Sequence, residues 1–311
     1  MNVENEIKKE RKYFIDWLRI GLIISVFFFH VGMIFRPENW HVNSDETFEF
    51  LDPIMWWLHL WRMPLLFLVS GIGTYYAIGH RTTKQYVKER LTRLYIPFTF
   101  GFFTLVPLMV YVERIKNYSS LLDFIPHMFD GGPYPKGNIS WHHLWFILYL
   151  LIISLLISPF LNYTKSEHYN MVRGKLIAFF SKKLNLNWLL VLLVFTQVIL
   201  RQYFPRNTHA LYNDWAYFTY YLLFFISGFM LFTSSKVIER VAKNRRLYLY
   251  QTIVFTILLF TLPFIFGKPS IMQDYFRGIT EIIISLSCGI TAIGYFKRYF
   301  NKNPYSPHTR L

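Results

Sequence analysis

The sequence is poor in cysteine and in charge, and it contains no internal repeat or low-complexity tract. Of its 311 residues, 16% are charged, 53% are hydrophobic and 20% are aromatic. The lone Cys288 excludes a disulfide framework and a thiolate metal site. So apolar a composition excludes an ordinary soluble protein, and no loop is long enough to carry its own core. We therefore expect residues 1–311 to form a single integral membrane domain.

Eight apolar runs are long enough to cross about 30 Å of hydrocarbon. They lie at 14–35, 53–78, 94–112, 141–161, 186–204, 215–233, 247–266 and 276–296. The first run carries polar residues and precedes no small-residue cleavage site, so it is not a signal peptide. The expected fold is all-α, a polytopic bundle of about eight transmembrane helices.

The basic residues indicate a topology. Of the 33 Lys and Arg residues, 23 lie in five alternate segments, which are 1–12, 79–93, 162–185, 234–246 and 297–311. The positive-inside rule places such segments, and hence both termini, in the cytoplasm. We expect the chain to be a multi-pass protein of the inner membrane. The net charge of +15 then reflects topology and attraction to the lipid bilayer, and no nucleic-acid partner is expected.

The first run contains charged residues that are costly in hydrocarbon, roughly 2.5–3.5 kcal/mol each at a helix centre. At about 100° per residue, the eleven steps from Arg19 to His30 amount to three turns plus about 20°. The two residues are therefore expected on one protein-facing stripe, roughly 16 Å apart along the axis. Asp16 precedes Arg19 by three residues, within reach of its guanidinium.

Further polar groups lie at matching depths. His59 and Arg62 share a face of the second run, while His142 and His143 begin the fourth, which predicts an outer end rich in imidazoles. On the cytoplasmic side, Arg90 and Arg93 have a spacing that suits a phosphate group. Taken singly, most of these residues also fit a second interpretation, as interfacial histidines and ordinary juxtamembrane charge.

The motifs favour acid–base chemistry without a metal. No His-x-x-x-His pair lies on a run, and the adjacent His142 and His143 would point about 100° apart on a helix, so no metal site is predicted. Phosphate-binding loops and serine-nucleophile motifs are absent from the sequence. A neutral His30 could act as a general base, and Arg19 or Arg62 could hold an anion or an oxyanion.

Four segments in order carry a resemblance to a known family. They are "YFIDWLRIGLIISVFFFHVGMIF", "WRMPLLFLVSGIGTYYAIGHR", "RLTRLYIPFTFG" and "SWHHLWFILYLLIISLL". An Arg and a His separated by ten residues, followed by Arg-x-x-Arg, resembles membrane-bound acyltransferase family 3, in particular its glucan-modifying branch. The resemblance covers about the first half of the chain, and the second half is similar in hydropathy alone.

The resemblance implies an O-acyltransferase that moves an acyl group from cytoplasmic acyl-CoA to a hydroxyl of a glycan or related acceptor. Acyl-CoA is then a donor substrate, and no cofactor is expected to be bound permanently. Matched to the family, Arg19 and His30 are the central pair and Arg90 with Arg93 hold the CoA phosphates. The supporting residues carried over from the family are Asp16, His143, Ser70 and Gly71. On depth alone we add His59, Arg62 and His142.

Two alternatives remain open. Relatives have ten or more spans, so the chain is expected to lack the C-terminal helices of longer relatives, and an inactive truncated acyltransferase is one alternative. The other is a lipid or glycan transporter or flippase. Against a transporter, the polar residues concentrate in the first four runs, without matching Gly or Pro interruptions in the two halves.

Overall fold

The computed structural model describes residues 12–38, 40–79, 81–204 and 208–301, and these residues form a helical bundle. Almost all of segment 1–12 and the tail from 302 lie outside the described residues. The α-helices are α1 (Tyr13–Ile34), α2 (Leu51–Ile78), α3 (Thr83–Arg90), α4 (Ile96–Phe103), α5 (Leu105–Glu113), α6 (Leu121–Phe124), α7 (Trp145–Ile157), α8 (Glu167–Phe180), α9 (Trp188–Leu200), α10 (Trp215–Met230), α11 (Ser235–Phe266) and α12 (Ile271–Tyr299).

The bundle contains several helical segments that could cross a membrane. Five are long and apolar enough, namely Tyr13–Ile34, Thr83–Glu113, His142–Leu161, Ser235–Phe266 and Ile271–Tyr299. A sixth arises if α8 and α9, which meet at a 112° bend, are one span. The predicted all-α, multi-pass membrane architecture is therefore confirmed.

Two predicted runs are helical but are not among the five helical segments long and apolar enough to cross a membrane. Run 53–78 corresponds to α2, whose first half carries Trp, His and Arg side chains that lower its mean hydropathy. Run 215–233 corresponds to α10, which has only 16 residues. The number of eight spans and the cytoplasmic location of both termini stay predictions.

Helix α2 lies at the centre of the bundle, against α1, α10 and α12. Leu65 and Phe67 are fully buried there. A Cβ atom on Gly71 would meet the carbonyl oxygen of Phe225 in α10, and one on Gly228 would meet that of Leu68 in α2. Small residues at such crossings let backbones approach closely, which gains van der Waals contact inside a membrane.

The connection between α5 and α7 folds back on the bundle. Arg114, directly after α5, donates from Nη1 to Asn138 Oδ1 (2.5 Å) and from Nη2 to the carbonyl oxygens of Pro135 (2.6 Å) and Gly137 (3.0 Å). Asn138 is 5% exposed, so this network is largely desolvated. It fixes part of the segment that leads into α7, and His143 at the end of that segment contacts His30 of α1.

Candidate active site

A cavity of about 1040 Å³ opens between the C-terminal half of α1, the N-terminal half of α2 and the turn that precedes α7. Six histidines line it: His30, His41, His59, His142, His143 and His209. The chain has only ten histidines, so this concentration distinguishes the cavity from the rest of the molecule. The sequence had placed four of the six at one end of the bundle.

His30 lines the cavity from α1, on the same face as Ile23, Val26 and Met33. Its Nδ1 lies 2.7 Å from the carbonyl oxygen of Val26, one turn earlier. Because a carbonyl oxygen only accepts, Nδ1 must carry the proton, and in a neutral ring Nε2 is then left with a free lone pair. The local backbone thus selects the tautomer that can take a proton at Nε2.

His143 lies beside His30, with ring centroids 4.7 Å apart in an edge-to-face arrangement. Its Nε2 is buried and has no hydrogen-bond partner among the described residues. The two histidines come from segments far apart in sequence, since His30 belongs to α1 and His143 to the turn before α7. A buried ring nitrogen without a partner is costly and is available to a bound molecule.

Arg62 is buried beside this pair, at 2% exposure. Its guanidinium lies over the ring of Phe29, 3.7 Å from the centroid, which is a favourable cation–π arrangement. Nε and Nη1 have no hydrogen-bond partner among the described residues. Arg36, another cavity residue, is instead paired with Asp52 and with Glu38. Arg62 is therefore a desolvated cation without an anion in the part of the chain described.

His59 and His209 close the inner side of the cavity, with ring centroids 6.1 Å apart. His209 also packs on Trp145 at 4.2 Å, and its backbone N–H donates to Asp214 Oδ2 (3.3 Å). Asp214 is fully buried and pairs with Arg201 (3.2 Å). Burial raises the pKa of Asp214 above its ordinary value, while its hydrogen bonds and Arg201 act in the opposite direction.

The turn before α7 differs from the helix start that the sequence suggested. His142 has a φ of 36°, and residues His142–Leu144 form a 3-10 turn. Both His142 and His143 consequently face the cavity, and the rings of His142 and His41 lie 4.4 Å apart. The angle of 100° expected for neighbours on an α-helix does not apply, because neither histidine belongs to one.

A carboxylate lies next to this group and contacts two of the cavity residues. Glu113, the last residue of α5, accepts from Tyr134 Oη (2.8 Å) through Oε1, and its Oε2 lies 2.8 Å from His41 Nδ1. Burial and the hydrogen bond to Glu113 raise the pKa of Tyr134 to about 12. The phenol therefore stays protonated and remains a donor over the physiological pH range.

A second group of charged residues lies near the N-terminal end of α1. Arg19 packs against α2 at Gly73, where a Cβ atom would collide with Nη2, and the charges of Asp16 and Arg90 both act on it. Arg90 turns into the bundle, and its Nη2 lies 3.4 Å from Thr74 Oγ1. Arg19 and Arg90 thus meet α2 at the adjacent residues Gly73 and Thr74, outside the described cavity and within electrostatic range of Asp16.

Arg93 does not join this group. Its side chain is 70% exposed and pairs with Glu89 (3.0 Å). The backbone over Leu91–Tyr95 is a π-helical turn. On an α-helix, residues i and i+3 lie on the same face, but a π-helical turn has more residues per turn and changes this spacing. Arg90 faces inward and Arg93 outward as a result.

The two groups are not joined by the cavity. On α1 the cavity wall ends at Ile23, one turn from Arg19 toward His30. Arg19 and His30 both face protein, as the helical arithmetic predicted, but the described cavity holds His30 alone. The continuous polar seam between them remains a prediction.

Comparison with known proteins settles the family. A family model described as an acyltransferase domain, that of acyltransferase family 3, matches residues 12–304. The chain belongs to acyltransferase family 3. Proteins named "Glucans biosynthesis protein C" from Escherichia coli K12 and from E. coli O1:K1 / APEC are 29% identical to it over 160 residues. That alignment covers 49% of this chain and 39% of each relative. No solved structure matches.

The resemblance to this family, carried by the four sequence segments, is confirmed. Ser70 and Gly71, transferred from the family, lie in α2 outside the described cavities. For Gly71 the close crossing with α10 is a sufficient structural reason. Nothing in the geometry gives Ser70 a chemical role.

The sequence analysis did not identify the cavity residues His41, Tyr134 and His209, nor Glu113, which contacts two of them. All four lie at helix ends or in loops. Helical periodicity says nothing about such positions, since their location depends on how the loops fold. The one available signal was the recurrence of histidine and carboxylate in the loops predicted on the same side as His30.

Proposed function

We propose that this acyltransferase transfers an acyl group from cytoplasmic acyl-CoA to a hydroxyl of a glycan at the opposite face of the inner membrane. The proposal rests above all on His30, whose Nδ1 is held by the Val26 carbonyl oxygen (2.7 Å) and whose Nε2 is left free. A group with this tautomer on the wall of a cavity is placed to remove a proton from an acceptor.

The chemical step follows from that geometry. His30 Nε2 takes the proton of the acceptor hydroxyl as the oxygen forms a bond to the thioester carbonyl carbon. The tetrahedral oxyanion then collapses, the carbon–sulfur bond breaks, and the CoA thiolate takes the proton from the His30 imidazolium. The ester and free CoA are the products, and neither a metal nor a redox partner is needed.

Arg62 is the residue best suited to stabilise the oxyanion. Arg62 as a whole is 2% exposed, and two of its guanidinium nitrogens have no hydrogen-bond partner among the described residues. A preformed cation in a dry site stabilises developing negative charge far more strongly than the same cation in water. His143, 4.7 Å from His30 between ring centroids, would orient the acceptor with its unpaired Nε2.

The donor would enter from the other side. Arg90, with Arg93 at the surface, would bind the CoA phosphates, and Arg19 with Asp16 would guide the pantetheine arm along α1. The thioester must then pass the single turn that separates Arg19 from Ile23, where the described cavity ends. The predicted topology supports this order, because it puts Arg90 at the cytoplasmic end.

The glycan acceptor is supported by the relatives, whose printed name refers to glucan biosynthesis. The cavity supports it independently, since aromatic rings and imidazoles together suit a sugar. Trp40, Trp56, Trp141 and Trp145 all contribute to its wall. Such flat apolar surfaces with polar tips are typical of sites that hold an amphipathic ligand.

Labelled acyl transfer tests the proposal. The detergent-purified chain is incubated with radiolabelled acetyl-CoA or succinyl-CoA and a soluble glucan, and the label in the glucan is counted. The wild-type protein and a His127→Ala variant should transfer label equally, because His127 is half-exposed, pairs with Asp130 and does not line the cavity. His30→Ala should reduce transfer by about 10²–10⁴-fold. Equal transfer by wild type and His30→Ala would contradict the proposal.

A further inference from the structure

We propose that His41, Glu113 and His142 bind a divalent transition-metal ion of the zinc class beside the cavity. One donor atom from each residue lies within 4.8 Å of the other two. The three residues come from the loop after α1, the end of α5 and the turn before α7. The inference concerns binding alone and does not depend on acyl transfer.

The donor set is one that zinc accepts. Two imidazole nitrogens and one carboxylate oxygen, with water or a substrate oxygen as fourth ligand, form a common tetrahedral zinc site. At zinc–ligand distances near 2.0–2.1 Å, neighbouring ligands of a tetrahedron lie roughly 3.3 Å apart. His41 Nδ1 and Glu113 Oε2 are already 2.8 Å apart, so His142 has to approach the pair by about 1.5 Å at most.

His142 provides the independent observation that points to a ligand. Its Nε2 is buried and lacks a hydrogen-bond partner among the described residues, whereas most buried polar side-chain atoms have one. Its backbone adopts a φ of 36°, which is unusual for a residue other than glycine. The chain thus accepts local strain that brings this imidazole against His41, with ring centroids 4.4 Å apart.

Groups around the three residues orient the carboxylate, as outer-shell partners do in metal sites. Tyr134 Oη donates to Glu113 Oε1 at 2.8 Å, which leaves Oε2 for His41 or for a metal. Arg114, the next residue along the chain, is a cation that could compete for Glu113. Instead it donates to Asn138, Pro135 and Gly137, so the carboxylate remains available.

The same chain offers a matched pair that lacks these features. His127 Nδ1 lies 2.6 Å from Asp130 Oδ2, but the two side chains are 49% and 61% exposed. The corresponding exposures of His41 and Glu113 are 17% and 23%. No third donor joins His127 and Asp130 among the described residues. A histidine–carboxylate contact alone is therefore not the basis of the inference.

A metal here would fix the wall of the cavity. It would cross-link three segments that are distant in sequence and would hold His142 beside His143, whose ring is 4.7 Å from that of His30. His41 and His142 both belong to the cavity wall.

Metal titration tests this inference. The full chain is purified in detergent with a tag that contains no histidine, treated with a chelator, and titrated with zinc chloride against a chromogenic competitor. The wild-type protein should bind about one equivalent. His142→Ala and Glu113→Gln should weaken binding by about 100-fold or more, and Tyr134→Phe by about 10- to 100-fold. His127→Ala should bind zinc as the wild type does.

A second readout keeps the result independent of variant folding. Co²⁺ bound to the wild-type protein should give the visible absorption of a tetrahedral site, which zinc then removes. Wild-type protein that binds neither ion would overturn the inference, as would a folded Glu113→Gln variant with unchanged affinity. Because both readouts measure the metal, they hold even for protein that transfers no acyl group, and the two proposals fail separately.

Discussion

At His30, one backbone contact decides which ring nitrogen is available. The carbonyl oxygen of Val26 lies one turn back, at 2.7 Å from Nδ1, and it exists in any α-helix that places a histidine there. The neighbours of His30 are specific to this chain: His143 lies beside its ring, and Arg62 lies over the ring of Phe29. Each of these partners brings a polar atom that the described protein leaves unsatisfied.

Arg62→Gln should reduce acyl transfer by roughly 10²–10³-fold, which is typical for the loss of one preformed oxyanion donor. Glutamine keeps a polar side chain of similar reach but removes the charge. Because the role is confined to the transition state, kcat should fall while the KM for the acyl-CoA donor changes little. Steady-state kinetics with labelled acyl-CoA provide both constants.

Arg277→Gln is the matched control. Arg277 is also on the cavity wall, but it pairs with Glu281 (3.1 Å) and so has no free charge to offer. Its loss should change kcat by less than about 10-fold. Equal losses in the two variants would mean that Arg62 acts only through the general positive charge of the cavity.

Which residues belong to the site could be predicted from the sequence only where a regular helix determines the direction of the side chain. The stripe of Arg19 and His30 was predictable because α1 is regular from Tyr13 to Ile34. Glu113, Tyr134 and His209 were not, since their positions depend on loop conformation. Neither was the contact of His142 with His41, which requires a φ of 36°.

Helix α2 both lines the cavity and packs closely against another helix. Its first half supplies His59 and Arg62 to the cavity, and its second half crosses α10 at a distance that only glycine permits. A shift of α2 away from α10 would therefore move Arg62 relative to His30 on α1. The packing of one end of the helix and the chemistry at the other are coupled through its rigidity.

Gly71→Ala should lower stability, because the added methyl group would collide with the carbonyl oxygen of Phe225. Overpacking of this kind costs roughly 1–3 kcal/mol. The expected result is a lower apparent melting temperature of the detergent-purified protein. Gly174→Ala in α8 serves as the control, since a Cβ atom there meets nothing within 4 Å. Alanine in a helix interior favours folding by roughly 0.5–1 kcal/mol over glycine, so this variant should melt no earlier than the wild type.

Helix positions followed from hydropathy, whereas helix boundaries and breaks did not. All eight apolar runs are helical, but the third helical segment begins at Thr83, well before the apolar run at 94–112. A capping box of Thr82 and Gln85 starts it in a polar stretch, where hydropathy has no signal. The π-helical turn at Leu91–Tyr95 has no sequence signature either, and it separates Arg90 from Arg93.

In the molecule as a whole, the polar groups are divided between two ends of α1. One end carries Asp16 and Arg19 beside Arg90, and the other carries His30 beside the cavity. The apolar turn between Arg19 and Ile23 separates them. The proposed transfer, which takes its donor from one side of a membrane and its acceptor from the other, needs such a division, because the two substrates must meet without an open pore.

This division predicts defects that can be measured separately. Arg90→Ala should weaken equilibrium binding of labelled acyl-CoA by roughly 10- to 100-fold, since a hydrogen bond to a charged group contributes about 1.5–3 kcal/mol. His30→Ala should bind acyl-CoA within about threefold of the wild type and yet fail in transfer. Arg246→Ala is the control for charge, because Arg246 is exposed and lies in another predicted cytoplasmic segment, and it should leave both quantities unchanged. If His30→Ala lost donor binding as severely as Arg90→Ala, the two ends of α1 would have to contribute to a single site.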